Sequence, residues 1–360
     1  MYVVTNREVE ASAGGLDQFG KKANHNGPNE LRLAEVTAQG KGWRVEFLDD
    51  RLSTTEARAL IKEFRLPLEP DAPHYASLKA ACDITRRARK DNRHVLFFVH
   101  GFNNDMHDVI SRAQYFEKRY DTEVLVFSWP ADGGGLSGTL SYRSDKRDAR
   151  ASAGALERAL TKLHDYLALI TEARRRELYQ QAAKKHPDAA EARDALYAKL
   201  LEKDCPFTVN ALYHSMGNYL LKQLLKSTLS EGNGLTFDNV VLCQADTNNL
   251  DHGLWVDQIK FRNRLYITIN ENDYALRASR AKAGSEQLAR LGHYLRNLGS
   301  HSAYYVNLTD APWVKNSHSP FAEPAEKNDR LFTFFKEAFS GVAAEKDLRY
   351  FPEGNWFAPR

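Results

Sequence analysis

The sequence predicts an α/β fold with a mostly parallel central sheet flanked by helices. Three observations carry that reading. Apolar runs of strand length recur along the chain, at His94–Val99, Phe207–Leu212, Val240–Ala245, Arg264–Ile269 and Tyr304–Leu308, with helical patterns between them. One of these runs passes through Tyr213-His214-Ser215-Met216-Gly217 straight into Asn218–Lys226, whose leucines recur at helical spacing. Residues able to do chemistry follow the strands in the order Ser215, Asp273, His318.

A serine on a sharp strand-to-helix turn stands clear of the sheet edge, where a base can reach its hydroxyl. Small residues are wanted two positions before and two after it, because the backbones crowd there. Gly217 meets that need and Tyr213 does not. The competing reading of Ser215 is a helix N-cap at the end of a strand. The strand His94–Val99 ends in His100-Gly101-Phe102-Asn103-Asn104. In this arrangement the loop after that strand supplies one amide to a developing oxyanion, and the residue after the serine supplies the other. Those amides are Phe102 and Met216. Losing one such donor costs about 3 kcal/mol of transition-state stabilisation. Gly101 lets the backbone approach a substrate. His100 is expected to organise this loop, and His214 to pack beside the turn. A plain strand-turn-helix with satisfied histidines is the alternative.

A serine hydroxyl is a poor nucleophile at neutral pH, so an imidazole must take its proton. A buried carboxylate then fixes the imidazole tautomer and stabilises the imidazolium. Among the histidines near the last strand, His301 precedes it, His293 is expected in the preceding helix, and only His318 follows it. Two aspartates end strands: Asp246 after Val240–Ala245, and Asp273 in the Asn270-Glu271-Asn272-Asp273 loop after Arg264–Ile269. Strand position favours Asp273, with Asp246 as the alternative acid. Asp273 could equally cap the helix that opens at Tyr274. Asp246 could order the loop around the site, and Glu271 is expected to be solvated.

Several segments resemble the α/β-hydrolase superfamily, and more closely a group of largely bacterial α/β-hydrolases of unassigned function. They are Tyr2-Val-Val-Thr5-Asn6-Arg7, His100-Gly-Phe-Asn-Asn104, Ser128-Trp129-Pro130, Tyr142 with Asp145, His214-Ser-Met-Gly-Asn218, Asn270 or Asn272 with Asp273, Ala275 and Leu276, and Ser317-His318-Ser319. Tyr213 stands where that group commonly has alanine. The resemblance spans roughly residues 95–340. It implies a serine hydrolase in which Ser215 attacks an acyl carbonyl, His318 acts as base and then acid, and Asp273 orients it. A carboxylic ester, small or lipid-like, is the expected substrate, by way of an acyl-enzyme. Thioester cleavage and acyl transfer are variants on the same triad, and no metal or organic cofactor is implied. A non-catalytic interaction module on the same scaffold is the rival of a different class.

At 360 residues the chain can bury a large core. Its net charge of +3 gives no sign of a nucleic-acid partner. Cys82, Cys205 and Cys243 are odd in number and scattered, which fits a reducing compartment. No run reaches transmembrane length and no leader pattern opens the chain, so a cytoplasmic protein is expected, leaderless export being compatible with the same features. Residues 1–90 are expected to form an extension packed on a hydrolase domain at 91–340. Strands are expected at 1–7 and 43–48, a loop at 13–29, a helix opening at Ser53 and another over 76–90. Residues 165–204 read as an inserted hairpin of two antiparallel helices meeting near Pro187, able to serve as a lid, a partner-docking or oligomer arm, or a solvated packing element. The last core helix is expected over 326–339, and the aromatic tail 341–360 is expected to dock on its own domain or on a partner.

Overall fold

The computed structural model describes residues 1–131, 138–204, 207–226, 234–281 and 288–359, with backbone alone at 138–141, 202 and 281. The strands are β1 (Tyr2–Thr5), β2 (Arg7–Val9), β3 (Phe19–Ala23), β4 (Arg32–Gln39), β5 (Gly42–Phe47), β6 (His94–Val99), β7 (Thr122–Ser128), β8 (Val209–His214), β9 (Phe237–Cys243), β10 (Phe261–Ile269), β11 (Ala303–Asn307), β12 (Arg349–Phe351) and β13 (Trp356–Ala358). The helices are α1 (Thr54–Phe64), α2 (Ala76–Asp91), α3 (Met106–Arg119), α4 (Gly138–Ala151), α5 (Ala153–Lys185), α6 (Ala190–Asp204), α7 (Gly217–Leu225), α8 (Gly253–Val256), α9 (Tyr274–Ala281), α10 (Glu323–Lys327) and α11 (Asp329–Phe339).

Eleven strands form one sheet in the order β12-β13-β11-β10-β9-β8-β6-β7-β1-β4-β5. From β11 to β1 every neighbouring pair is parallel. A parallel sheet needs both faces covered, and its central strands therefore read as unbroken apolar runs. Alternation still sorts the side chains. Val95, Phe97 and Val99 of β6 pack with α2, α5 and α7 on one face. Leu96 and Phe98 pack with α3 and α11 on the other. This is the α/β-hydrolase fold, a mostly parallel sheet with helices on both faces.

The chain places β7 on one side of β6 and β8 on the other. Loops leaving the carboxyl ends of β6 and β8 diverge at that reversal, and the crevice between them is where open α/β sheets bind ligands. His100-Gly101 leaves one strand there and Ser215 the other.

Residues 1–90 contribute β1, β4 and β5 to this sheet, with β1 parallel to β7 and β4 and β5 antiparallel at the edge. The expected loop at 13–29 is corrected: it holds the short strand β3, which pairs with β2. Glycines and asparagines hid a strand made by pairing rather than by pattern. The strand β4 was not anticipated either. The Ser53 helix start is a full capping box, with Ser53 Oγ accepting from Glu56 N at 3.3 Å and Glu56 Oε2 accepting from Ser53 N at 3.2 Å.

The hairpin differs from expectation in its first helix, because α5 runs unbroken from Ala153 and residues 165–185 only continue it. Its partner α6 returns alongside, with Tyr179 and Tyr197 edge to face at 5.5 Å and Arg174 paired to Asp204. Ile170 and Ala173 pack with Leu60, Ile61, Leu66, Leu78, Ala81 and Cys82, so the base of the hairpin docks on α1 and α2. The last core helix begins later than expected. Asn328 breaks the run and caps α11 by accepting from Leu331 N at 3.1 Å. The aromatic tail closes on its own domain as β12 and β13, the latter pairing with β11. Cys82 and Cys243 are buried free thiols, and Cys205 lies outside the described residues.

Candidate active site

Ser215 follows β8 in left-handed backbone, with φ +53°. A non-glycine residue holds that conformation only where its surroundings enforce it. Here Ser215 N donates to Cys243 O at 3.0 Å, and Ser215 O accepts from Asp246 N and from Asn218 N, each at 3.1 Å. The N-cap of α7 falls to Met216, so the capping alternative for Ser215 does not hold. Other positive-φ residues lie at this same sheet edge, among them Asn103 and Gln244.

Both glycines at the turn are required by space. A Cβ on Gly217 would lie 2.8 Å from His100 O and from Val99 O. A Cβ on Gly101 would lie 2.7 Å from Ser215 Cβ and 3.2 Å from its Oγ. The loop carrying Phe102 therefore presses directly on Ser215. Tyr213 points the other way, 2% exposed, into the apolar layer beside Leu160, Leu221 and Leu224. Its bulk is absorbed by the core and does not enter the crevice.

Asp273 and His318 come together. His318 Nδ1 stands 2.7 Å from Asp273 Oδ2, and Asp273 is fully buried. The same Oδ2 accepts from Gln244 Nε2 at 3.2 Å, while Oδ1 accepts from Ala275 N at 2.9 Å and Leu276 N at 3.0 Å. Asp273 thus caps α9 with one oxygen and holds the imidazole with the other. Contact with His318 and capping of α9 coexist in this one carboxylate.

The His318 loop is tied down from three sides. Asn270 Nδ2 donates to Lys315 O and Ser317 O at 3.0 and 3.1 Å. His214 Nε2 faces His318 O at 2.8 Å, and since a carbonyl only accepts, that nitrogen carries the proton. Arg112 Nη1 donates to Ser319 Oγ at 2.7 Å. Burial, then the neighbouring His318 and Arg112, hold His214 well below the ordinary imidazole range.

Asp246 is placed elsewhere. It pairs with Arg290 Nε at 3.0 Å and accepts from Ser279 Oγ at 2.7 Å, both partners deeply buried. Tyr142, quoted in the resemblance, bonds Ser279 Oγ at 3.0 Å and sets its ring 5.6 Å from that of Phe102. Asp145 accepts from Asn103 N at 3.1 Å. Glu271 is not simply solvated, because it accepts from Leu295 N at 3.2 Å. His293 lies buried in a short turn before β11, and His301 is exposed ahead of that strand.

His100 lies stacked on Trp129, with ring centres 5.3 Å apart and planes 4° from parallel. Its Nδ1 faces Gly101 O at 2.9 Å, and its Nε2 faces Ser128 Oγ at 3.1 Å. Burial pushes its pKa down to about 3, the nearby Arg7 adding to the effect. Gln244 and Arg112 carry no signal in the sequence, because their side chains matter only through partners distant in the chain. Among the described residues no group of three His, Cys, Asp or Glu side chains is placed to hold a metal ion. Also among them, no helix is long and apolar enough to cross a membrane.

Residues 77–170 match the family described as alpha/beta hydrolase of unknown function (DUF900). That stretch holds β6, the His100 loop, β7 and the Tyr142–Asp145 pair. No curated protein and no solved structure matches the chain. Fold and match agree over these residues: the sheet is that of the α/β-hydrolase fold, and residues 77–170 are similar to that family.

Proposed function

We propose that the protein is a serine hydrolase that cleaves a carboxylic ester through Ser215, His318 and Asp273. The observation that carries this reading is the 2.7 Å contact between His318 Nδ1 and the buried Asp273 carboxylate, together with a serine held at positive φ on the turn after β8. With Asp273 accepting from Nδ1, the other imidazole nitrogen is free of the proton and suited to act as base. Ser215 Oγ gives its proton to His318 and bonds to the acyl carbon. The carbonyl oxygen takes up negative charge in front of the Phe102 and Met216 amides. Collapse of the tetrahedral species expels the alcohol, which receives the proton from His318. Water then repeats the sequence on the acyl-enzyme and releases the acid.

The substrate is an acyl ester. Placement of the hairpin on α1 and α2 supports a packing role for it, and the proposal gives it no part in the reaction. Intact-mass analysis after treatment with a fluorophosphonate tests the reading. One adduct on the wild type and none on Ser215→Ala is expected, together with turnover of short p-nitrophenyl esters by the wild type alone. Folded wild type that takes no adduct and turns over no ester or thioester would overturn it.

A further inference from the structure

The segment Thr5-Asn6-Arg7 is quoted in the resemblance, yet the proposed chemistry makes no use of it. Arg7 is 1% exposed. Its Nε donates to Ser128 Oγ at 3.0 Å, its Nη1 to Gly20 O at 3.2 Å and its Nη2 to Asn104 O at 3.1 Å. Both terminal nitrogens also reach Ala131 O at 3.4 Å. Thr5 Oγ1 donates to Ser128 O at 2.7 Å and accepts from Arg7 N at 3.0 Å. The guanidinium is therefore a planar clamp between the loops that follow β6 and β7, a use of fixed fork geometry that lysine cannot copy.

Two lines lead from this clamp to the oxyanion loop. One is direct, through the Asn104 carbonyl. The other runs from Arg7 Nε to Ser128 Oγ and on to His100 Nε2. His100 Nδ1 faces a carbonyl, which only accepts, so Nδ1 carries the proton and donates to Gly101 O. Nε2 is then an acceptor, which agrees with Trp129 N donating to it at 3.3 Å. Asn104 Nδ2 adds bonds to Phe102 O at 2.6 Å and Gly101 O at 3.4 Å. The peptide between Gly101 and Phe102 is trans, so its N–H points opposite to its C=O. Holding the Gly101 carbonyl on the His100 side turns the Phe102 N–H to the other side. Gly101 itself lies against Ser215.

We propose that Arg7 is a positioning residue for the oxyanion hole: it fixes the Asn104 carbonyl directly and the Gly101–Phe102 peptide through Ser128 and His100. The inference rests on the serine-hydrolase reading. It makes the N-terminal segment part of the reaction's geometry as well as of the sheet.

The test compares wild type, Arg7→Met, Arg7→Lys and Ser128→Ala with a p-nitrophenyl ester and with a trifluoromethyl ketone, whose adduct on Ser215 carries an oxyanion. Both Arg7 variants are expected to lose about 100-fold in kcat with KM changed less than about threefold. Their inhibition constants for the ketone are expected to rise by the same factor as kcat/KM falls, which a role in folding alone would not produce. Ser128→Ala, which cuts only the relay, is expected to lose about tenfold. If Arg7→Met does not fold, Arg7→Lys and Ser128→Ala decide. Folded variants with kcat within about twofold of wild type and unchanged ketone affinity would overturn the inference while leaving the hydrolase reading intact. Wild type that neither takes the fluorophosphonate nor cleaves an ester would overturn both.

Discussion

Asp273 holds His318 with one carboxylate oxygen, Oδ2 at 2.7 Å from Nδ1, and caps α9 with the other. The two jobs separate on substitution. Asparagine can still cap a helix but cannot enforce the imidazole tautomer. Asp273→Asn is expected to lose about 10,000-fold in kcat with little change in melting temperature. Asp273→Ala should lose the same activity and about 1 kcal/mol of stability besides. Asp246→Asn should show the reverse, keeping most of kcat while losing about 3 kcal/mol, because it leaves the buried Arg290 without its ion pair. Steady-state kinetics and urea melts on the three variants check this, and a larger kcat loss in Asp246→Asn than in Asp273→Asn would reassign the acid.

Gly101 is a steric requirement of the Ser215 turn. A methyl group there would sit 2.7 Å from Ser215 Cβ, so either the serine or the loop after β6 must shift. Gly101→Ala is expected to slow fluorophosphonate labelling at least about tenfold in a protein that still unfolds cooperatively. Labelling at the wild-type rate would show that the loop yields without cost.

Tyr213 stands in the core layer, its ring 6.4 Å from that of Phe97. Tyr213→Ala should therefore cost stability, about 3 kcal/mol from the cavity, while kcat for a short ester stays within about threefold of wild type. A change of acyl-chain preference without loss of stability would instead put the ring in the substrate's path.

The buried histidines make the fold acid-sensitive above the carboxylate range. His100 is held down to about 3, and His214 well below its ordinary value, so both are neutral in the folded chain. Unfolded, they titrate near about 6.5. Below that pH the unfolded state binds more protons than the folded one, so stability is full above about 6.5 and falls as pH drops toward about 3. Urea midpoints are expected to decline between about pH 6.5 and 5, and His100→Gln should flatten part of that decline. A midpoint constant over this interval would mean that the imidazoles become solvated before they charge.

The local pieces of this protein are legible in its residues. Continuous apolar strands, the serine turn, Gly101 and Gly217, the Ser53 capping box and the order of Ser215, Asp273 and His318 follow from neighbours in the chain. Local sterics, capping and the two-sided burial of a parallel sheet leave those marks in sequence. Features that depend on distant partners arise only once the chain is folded. Asp273 rather than Asp246 meets His318 because Arg290 and Ser279 occupy Asp246. The strand β3 exists by pairing with β2 in a polar stretch without a strand pattern of its own, whereas β4 alternates Ala34, Val36 and Ala38 with Glu35, Thr37 and Gln39 and pairs with β1 and β5. The hairpin lies on α1 and α2 because Ile170 and Ala173 find apolar partners there. Arg7 reaches the loop after β6 across 97 residues of chain, since β1 lies beside β7 and brings the guanidinium between two loops. Helix caps and tight turns are made within a few residues and can be read in order, whereas ion pairs and carbonyl clamps are made by whatever the folded sheet sets side by side.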